Sequence, residues 1–238
     1  MQRRVPVKKI VLIGDSIRIG YDVLVKEAFK GTAEVYFPEK NCCFAEYILR
    51  HLHEWKETMK CGDDVDCVHW NVGLWDTLIL FEDGPLTPLD VYELYMERLC
   101  KRIKILFPKA KVIFATSTPM YEELFTTPEI SVRYNRDIEI YNEAAIRIVK
   151  KHGHEINDLY GLMKDKPLSY HSDVAHYYSR NGAKLLAPQV CEAISKTINV
   201  EYEPINYDKW FADVESYDGT AWLKKRNELL ASNIELGI

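Results

Sequence analysis

A three-layer α/β/α domain built on a parallel sheet of about five strands is the fold class this sequence predicts. Three observations carry the prediction. Short apolar runs recur without polar alternation, as strands buried on both faces do. Segments with apolar residues at helical spacing separate those runs, and alternation of this kind makes parallel crossover units. The polar residues Ser16, Asn41, Asn71 and Thr116 fall at the C-terminal ends of the runs. Sheets of this type carry their functional groups there.

The elements follow in order. Residues 9–14 read as a fully buried first strand. Residues 21–30 read as a helix that Gly31 ends, and residues 33–37 as a second strand closed by Pro38. Asn41 opens a loop and is a candidate cap for a helix over residues 44–59. Residues 66–71 form the third strand and lead into Val72-Gly73-Leu74-Trp75-Asp76. A loop over 78–88 contains Gly84-Pro85 and Pro88, and residues 89–107 are helical until Pro108. Residues 110–115 form the fourth strand. After a loop to about residue 130, residues 131–152 read as a long helix. A short fifth strand covers 154–157, and an irregular stretch over 158–170 delivers Asp173 and His176. Ser179 then caps a helix that runs through Ile198.

Residues 201–238 differ in composition, with Tyr202, Tyr207, Trp210, Tyr217 and Trp222, and residues 221–232 have the pattern of one more helix. The expected organisation is one domain over 1–200 and a C-terminal extension over 201–238 that packs on the same domain; an oligomer contact and a lid are the alternatives for the extension.

The totals exclude several classes. At 238 residues the chain is long enough for one domain with a sizeable core. The formal net charge is -5 and no basic stretch is strong, which argues against nucleic acid as a partner. No apolar stretch approaches the roughly 18 residues of a membrane span, so no membrane partner is expected and the location reads as cytoplasmic. Six cysteines include no Cys-x-x-Cys, so neither zinc nor any other metal is expected, and the thiols read as free or structural. Glu27, Glu39 and Glu46 do not pair convincingly, which disfavours a two-carboxylate glycosidase. A homo-oligomer stays open.

The chemistry is concentrated in two places. Gly14-Asp15-Ser16 breaks the first apolar run, and a serine at the mouth of a buried strand is well placed as a nucleophile. Its hydroxyl needs a base, and His176 is the candidate. Asp173, three residues earlier, can hold the imidazole in one tautomer and stabilise its developing charge. A tetrahedral oxyanion needs preorganised donors. The candidates are the Ser16 N–H, the Cys43 N–H and the Asn71 side-chain amide. Arg18 and Trp75 are candidate substrate-binding residues, beside Tyr21 and Tyr121 as further lining. Asp15 reads as a residue that fixes its loop.

Gly14-Asp15-Ser16 after the first strand, an Asn in the third block and Asp173-x-x-His176 before the last main helix resemble the SGNH (GDSL-type) hydrolases over roughly residues 8–198. The resemblance implies a flavodoxin-like sheet, no metal or organic cofactor, and Ser16, His176 and Asp173 as nucleophile, base and orienter. Two blocks depart from the pattern. Where the family supplies a glycine N–H, this chain has Asn41-Cys42-Cys43-Phe44. Where Gly-x-Asn-Asp is usual, it has Gly73-Leu74-Trp75-Asp76, so Asn71 or the Trp75 indole stands in for the missing amide. The expected function is hydrolysis of a short-chain acyl ester, acetyl first, with a small molecule or carbohydrate as the alcohol. The competing readings are an acyltransferase, thioesterase or lysophospholipase using the same triad, and a non-catalytic carbohydrate-binding or scaffold protein.

Overall fold

The computed structural model describes residues 7–81, 83–125, 131–211 and 219–235. Five parallel strands form one sheet: β1 (Lys8–Ile13), β2 (Ala33–Tyr36), β3 (Cys67–Asn71), β4 (Lys111–Ala115) and β5 (Glu155–Asn157). Their spatial order is β2-β1-β3-β4-β5. The sheet therefore grows one way from β1 to β2 and the other way from β1 to β3. A crevice opens beyond the C-terminal ends of β1 and β3, where the direction reverses. Register sets Ile10 beside Cys67 and Ile13 beside Trp70. The expected fold class is the one observed.

Strand residues alternate between two cores, which explains the lack of polar alternation in the sequence. Ile10 and Leu12 face one layer; Val11 and Ile13 face the other. The first layer holds α2 (Asp22–Ala28) and α7 (Arg180–Ile198), with Leu24, Leu186 and Val190 buried against the sheet. The second layer holds α3 (Ala45–Met59), α4 (Leu89–Leu106) and α5 (Asn135–Lys151). Ile48, Leu52, Leu99, Ile103 and Ile148 fill it at helical spacing. Each such side chain contributes about 1.5–3 kcal/mol through burial.

Several local details differ from the sequence expectation. A one-turn helix, α1 (Ser16–Ile19), precedes α2. The long fifth helix starts at Asn135, and residues 131–134 remain extended or turned. The stretch expected to be irregular contains α6 (Leu159–Met163) and a 3-10 turn over Leu168–Tyr170. Ser179 Oγ caps α7 by accepting from Gly182 N–H at 3.0 Å. The expected Asn41 cap is replaced. Asp76, from the third block, accepts Ala45 N–H at 3.2 Å on both carboxylate oxygens and so caps α3 across the sheet. All six cysteines are free.

The C-terminal extension forms α8 (Tyr207–Phe211) and α9 (Gly219–Glu235), which lie against the first layer. Trp222 is fully buried, stacked on Phe211 at 5.0 Å, with its indole N–H donating to Ile19 O at 3.3 Å. Tyr217 lies outside the described residues. No helix among the described residues is long and apolar enough to cross a membrane.

Candidate active site

Gly14 ends β1 because nothing larger fits. A Cβ at this position would overlap Asn71 Oδ1 at the end of β3. The chain then turns under Asp15, whose buried carboxylate accepts Ile17 N–H at 2.8 Å and so starts α1. The same oxygen accepts Asn71 Nδ2 at 2.8 Å. Burial raises the Asp15 pKa; the bonds from Ile17 and Asn71 pull the other way without cancelling it. Ser16 is thereby set as the first residue of α1, on the wall of a cavity of about 480 Å³.

The opposite wall is the turn over residues 172–178. Asp173 accepts the N–H groups of Ala175 and His176, both at 2.8 Å, and then the imidazole Nδ1 of His176 at 2.8 Å. Burial pushes the Asp173 carboxyl up, but the His176 contact and the two backbone bonds outweigh it and hold the pKa below its ordinary value. The carboxylate thus stays charged beside the ring, and among the described residues Nε2 is the ring nitrogen left without a hydrogen bond. Ser172 N–H closes the turn on His176 O at 2.8 Å.

Tyr178 joins the two walls. Its ring stacks on His176 at 4.7 Å, and its hydroxyl donates to Ser16 O at 2.8 Å. Ser16 and His176 consequently line one cavity, with Asn41, Trp75, Arg133 and, from α9, Leu223. Among the described residues, Ser16 Oγ makes no hydrogen bond. Bonds between nucleophile and base often tighten only with substrate present.

The other sequence-derived site residues are placed less directly. Asn71 is fully buried, its amide donates to Asp15, and it is not on the cavity wall. The Cys43 N–H donates to Asn41 Oδ1 at 2.8 Å, and Cys43 takes a left-handed φ of 53° where the related pattern has glycine. Trp75 lines the cavity. Arg18 does not, which corrects the expectation that it meets substrate. The single turn of α1 points it inward, where it pairs with Asp22 and donates to Gly14 O at 3.2 Å and Lys40 O at 2.7 Å. Sequence reading missed Arg133, Tyr178 and the α9 residues of the wall. Only Tyr178 had a signal, its place two residues after His176.

Among the described residues, no group of His, Cys, Asp and Glu is arranged to hold a metal ion. No family model matches the chain. A GDSL esterase/lipase of Oryza sativa subsp. japonica, WDL1, is 27% identical over 129 residues, which cover 51% of this chain and 48% of the rice protein. The match therefore spans about half the length of that relative. The lipase/acylhydrolase from Enterococcus faecalis superposes with a TM-score of 0.63 at 22% identity, over 83% of this chain and 100% of the other. The Gly-Asp-Ser elbow and the Asp-x-x-His turn line the same cavity on that fold. In fold the chain is similar to these hydrolases, and in sequence it is similar to a GDSL esterase/lipase over about half its length. Axe2, an acetylxylan esterase from Geobacillus stearothermophilus, shares this SGNH fold, with a TM-score of 0.56 and 16% identity over 83% of this chain and 96% of Axe2.

Proposed function

We propose that this protein is an SGNH-type serine esterase that removes a short acyl group, acetyl first, from a carbohydrate or similar small alcohol. The observation that carries the reading is the convergence of Ser16 with an imidazole held by Asp173 at 2.8 Å on one cavity. Ser16 Oγ attacks the ester carbonyl as His176 Nε2 takes its proton. The imidazolium then protonates the departing alcohol, leaving an acyl-serine. His176 next takes a proton from water, which attacks the acyl-serine carbonyl and releases the acid, and the proton returns to Ser16. Asp173 stays ionised throughout, as its lowered pKa requires.

Two donors on the wall are uncommitted and suit the oxyanion. One is the Ser16 N–H at the start of α1. The other is the Asn41 side-chain NH₂, because Asn41 Oδ1 is held by the Cys43 N–H. In this reading Asn71 acts through Asp15, and the Cys43 N–H acts by orienting Asn41. The modest cavity and the Trp75 ring favour a short acyl group and a sugar, and the acetylxylan esterase among the structural relatives supports the same direction.

A second reading, a binding protein that keeps the fold without turnover, draws on the missing hydrogen bond between Ser16 Oγ and His176. Hydrolysis of 4-nitrophenyl esters from acetate to octanoate, by wild type and Ser16→Ala, separates the two. The esterase reading expects acetate to be favoured and its rate to fall by roughly 10³ or more in Ser16→Ala. Equal background rates in both proteins would overturn the esterase reading for these esters and favour the binding reading.

A further inference from the structure

Among the described residues, Arg133 is the charged group on the cavity wall that forms no ion pair; Asp15 and Asp173 attract it only from beyond ion-pair distance. It precedes α5 in the extended stretch that sequence reading assigned to helix. Its Nε donates to Leu74 O at 2.6 Å, and its guanidinium lies over the Trp75 ring at 5.7 Å from the centroid. These contacts, to residues far away in sequence, fix the plane of the group. They do not neutralise it: among the described residues, no carboxylate lies within ion-pair distance of it. The wall's carboxylate and imidazole, Asp173 and His176, are paired with each other at 2.8 Å, and the Tyr178 phenol is neutral. Asp15 is buried behind Ser16 and bonded to Ile17 and Asn71. Partial burial of Arg133 weakens its hydration, and an arginine that loses water without gaining an anion destabilises the free protein.

We infer that Arg133 anchors an anionic group of the substrate, a carboxylate or phosphate carried by the sugar on which the ester sits. With Nε occupied, the two terminal nitrogens present the end-on edge of the guanidinium, which can hold two oxygens of one anion at once. Trp75, with one face covered by the guanidinium, borders the same part of the cavity with the rest of its ring. The inference rests on the esterase reading for the ester, and on Arg133 alone for the anion.

Calorimetric binding of glucose, glucuronate and glucose 6-phosphate tests the anchor without requiring turnover. Wild type is expected to bind at least one anionic sugar about tenfold or more tighter than glucose, the scale of one charge-assisted pair. The tighter of the two identifies carboxylate or phosphate. Arg133→Gln should abolish the preference while melting as a folded protein, and Arg133→Lys should restore part of it. No preference in wild type, or a preference that survives in Arg133→Gln, would overturn the anchor. Hydrolysis of acetylated glucose and acetylated glucuronate completes the experiment. Anion-selective binding with no Ser16-dependent hydrolysis keeps the anchor and rejects the esterase. Ser16-dependent hydrolysis with no anion selectivity in binding or rate does the reverse.

Discussion

Tyr178 is the residue that makes one site out of two distant segments. Its hydroxyl reaches the carbonyl of Ser16, and its ring carries the imidazole of His176. Tyr178→Phe keeps the ring and loses one buried hydrogen bond of about 1 kcal/mol. It leaves the Ser16 carbonyl without this partner, so kcat is expected to fall roughly three- to tenfold with KM little changed. Tyr178→Ala should cost more, because the imidazole loses its platform. An unchanged kcat in both would remove Tyr178 from the positioning of the base. Asn41 is a separate case, since its side chain is assigned to the developing charge. Asn41→Ala is expected to lower kcat by roughly 10² to 10³, the usual effect of losing one oxyanion donor. Loss in KM alone would instead assign Asn41 to ground-state binding.

The elements are held by polar groups that act across the sheet. Asp76 shows this most clearly. It follows β3 in sequence but caps α3, so its carboxylate is buried where an isolated N-cap would be solvated. Burial pushes its pKa up to about 7, against the pull of the bonds from Thr87 and Ala45. The sign follows from proton linkage. An acid that holds its proton more tightly folded than unfolded favours the fold at low pH. That contribution is lost as pH rises from about 4, the ordinary carboxyl value, to about 7. Asp76→Asn keeps an oxygen for the Ala45 N–H and removes the titration. Its urea midpoint should therefore change less between pH 5 and pH 8 than that of wild type. Parallel profiles for the two proteins would show that Asp76 titrates near its ordinary value.

At the scale of the whole molecule, α9 closes the structure. Arg226 from α9 donates to both oxygens of Asp22, at 2.9 and 2.7 Å, and Arg18 pairs with the same carboxylate. Two buried arginines share one aspartate, and the carbonyls of Gly14, Lys40 and Glu39 complete their shells. The sheet was legible in the sequence because each strand is buried on both faces and each helix shows its apolar spacing. Ser16, Asp173 and His176 were legible because Ser16 begins a helix right after β1 and Asp173 and His176 share one short turn. Arg18 was misread because local spacing does not reveal which way a one-turn helix faces. Arg133 was hidden because its position comes from Leu74 and Trp75, 59 and 58 residues away. The part played by α9 was hidden for the same reason: Trp222 finds Ile19 more than 200 residues back. That contact has a consequence for selectivity, because Gly219, Thr220 and Leu223 of the same helix form one side of the cavity. Trp222→Ala should cost about 3–5 kcal/mol in urea denaturation, as large-to-small core changes do. Loosening α9 also withdraws that wall, so the octanoate to acetate rate ratio should rise above the wild-type value under conditions where the variant remains folded. A destabilised variant with an unchanged ratio would show that α9 braces the domain without bounding the acyl site.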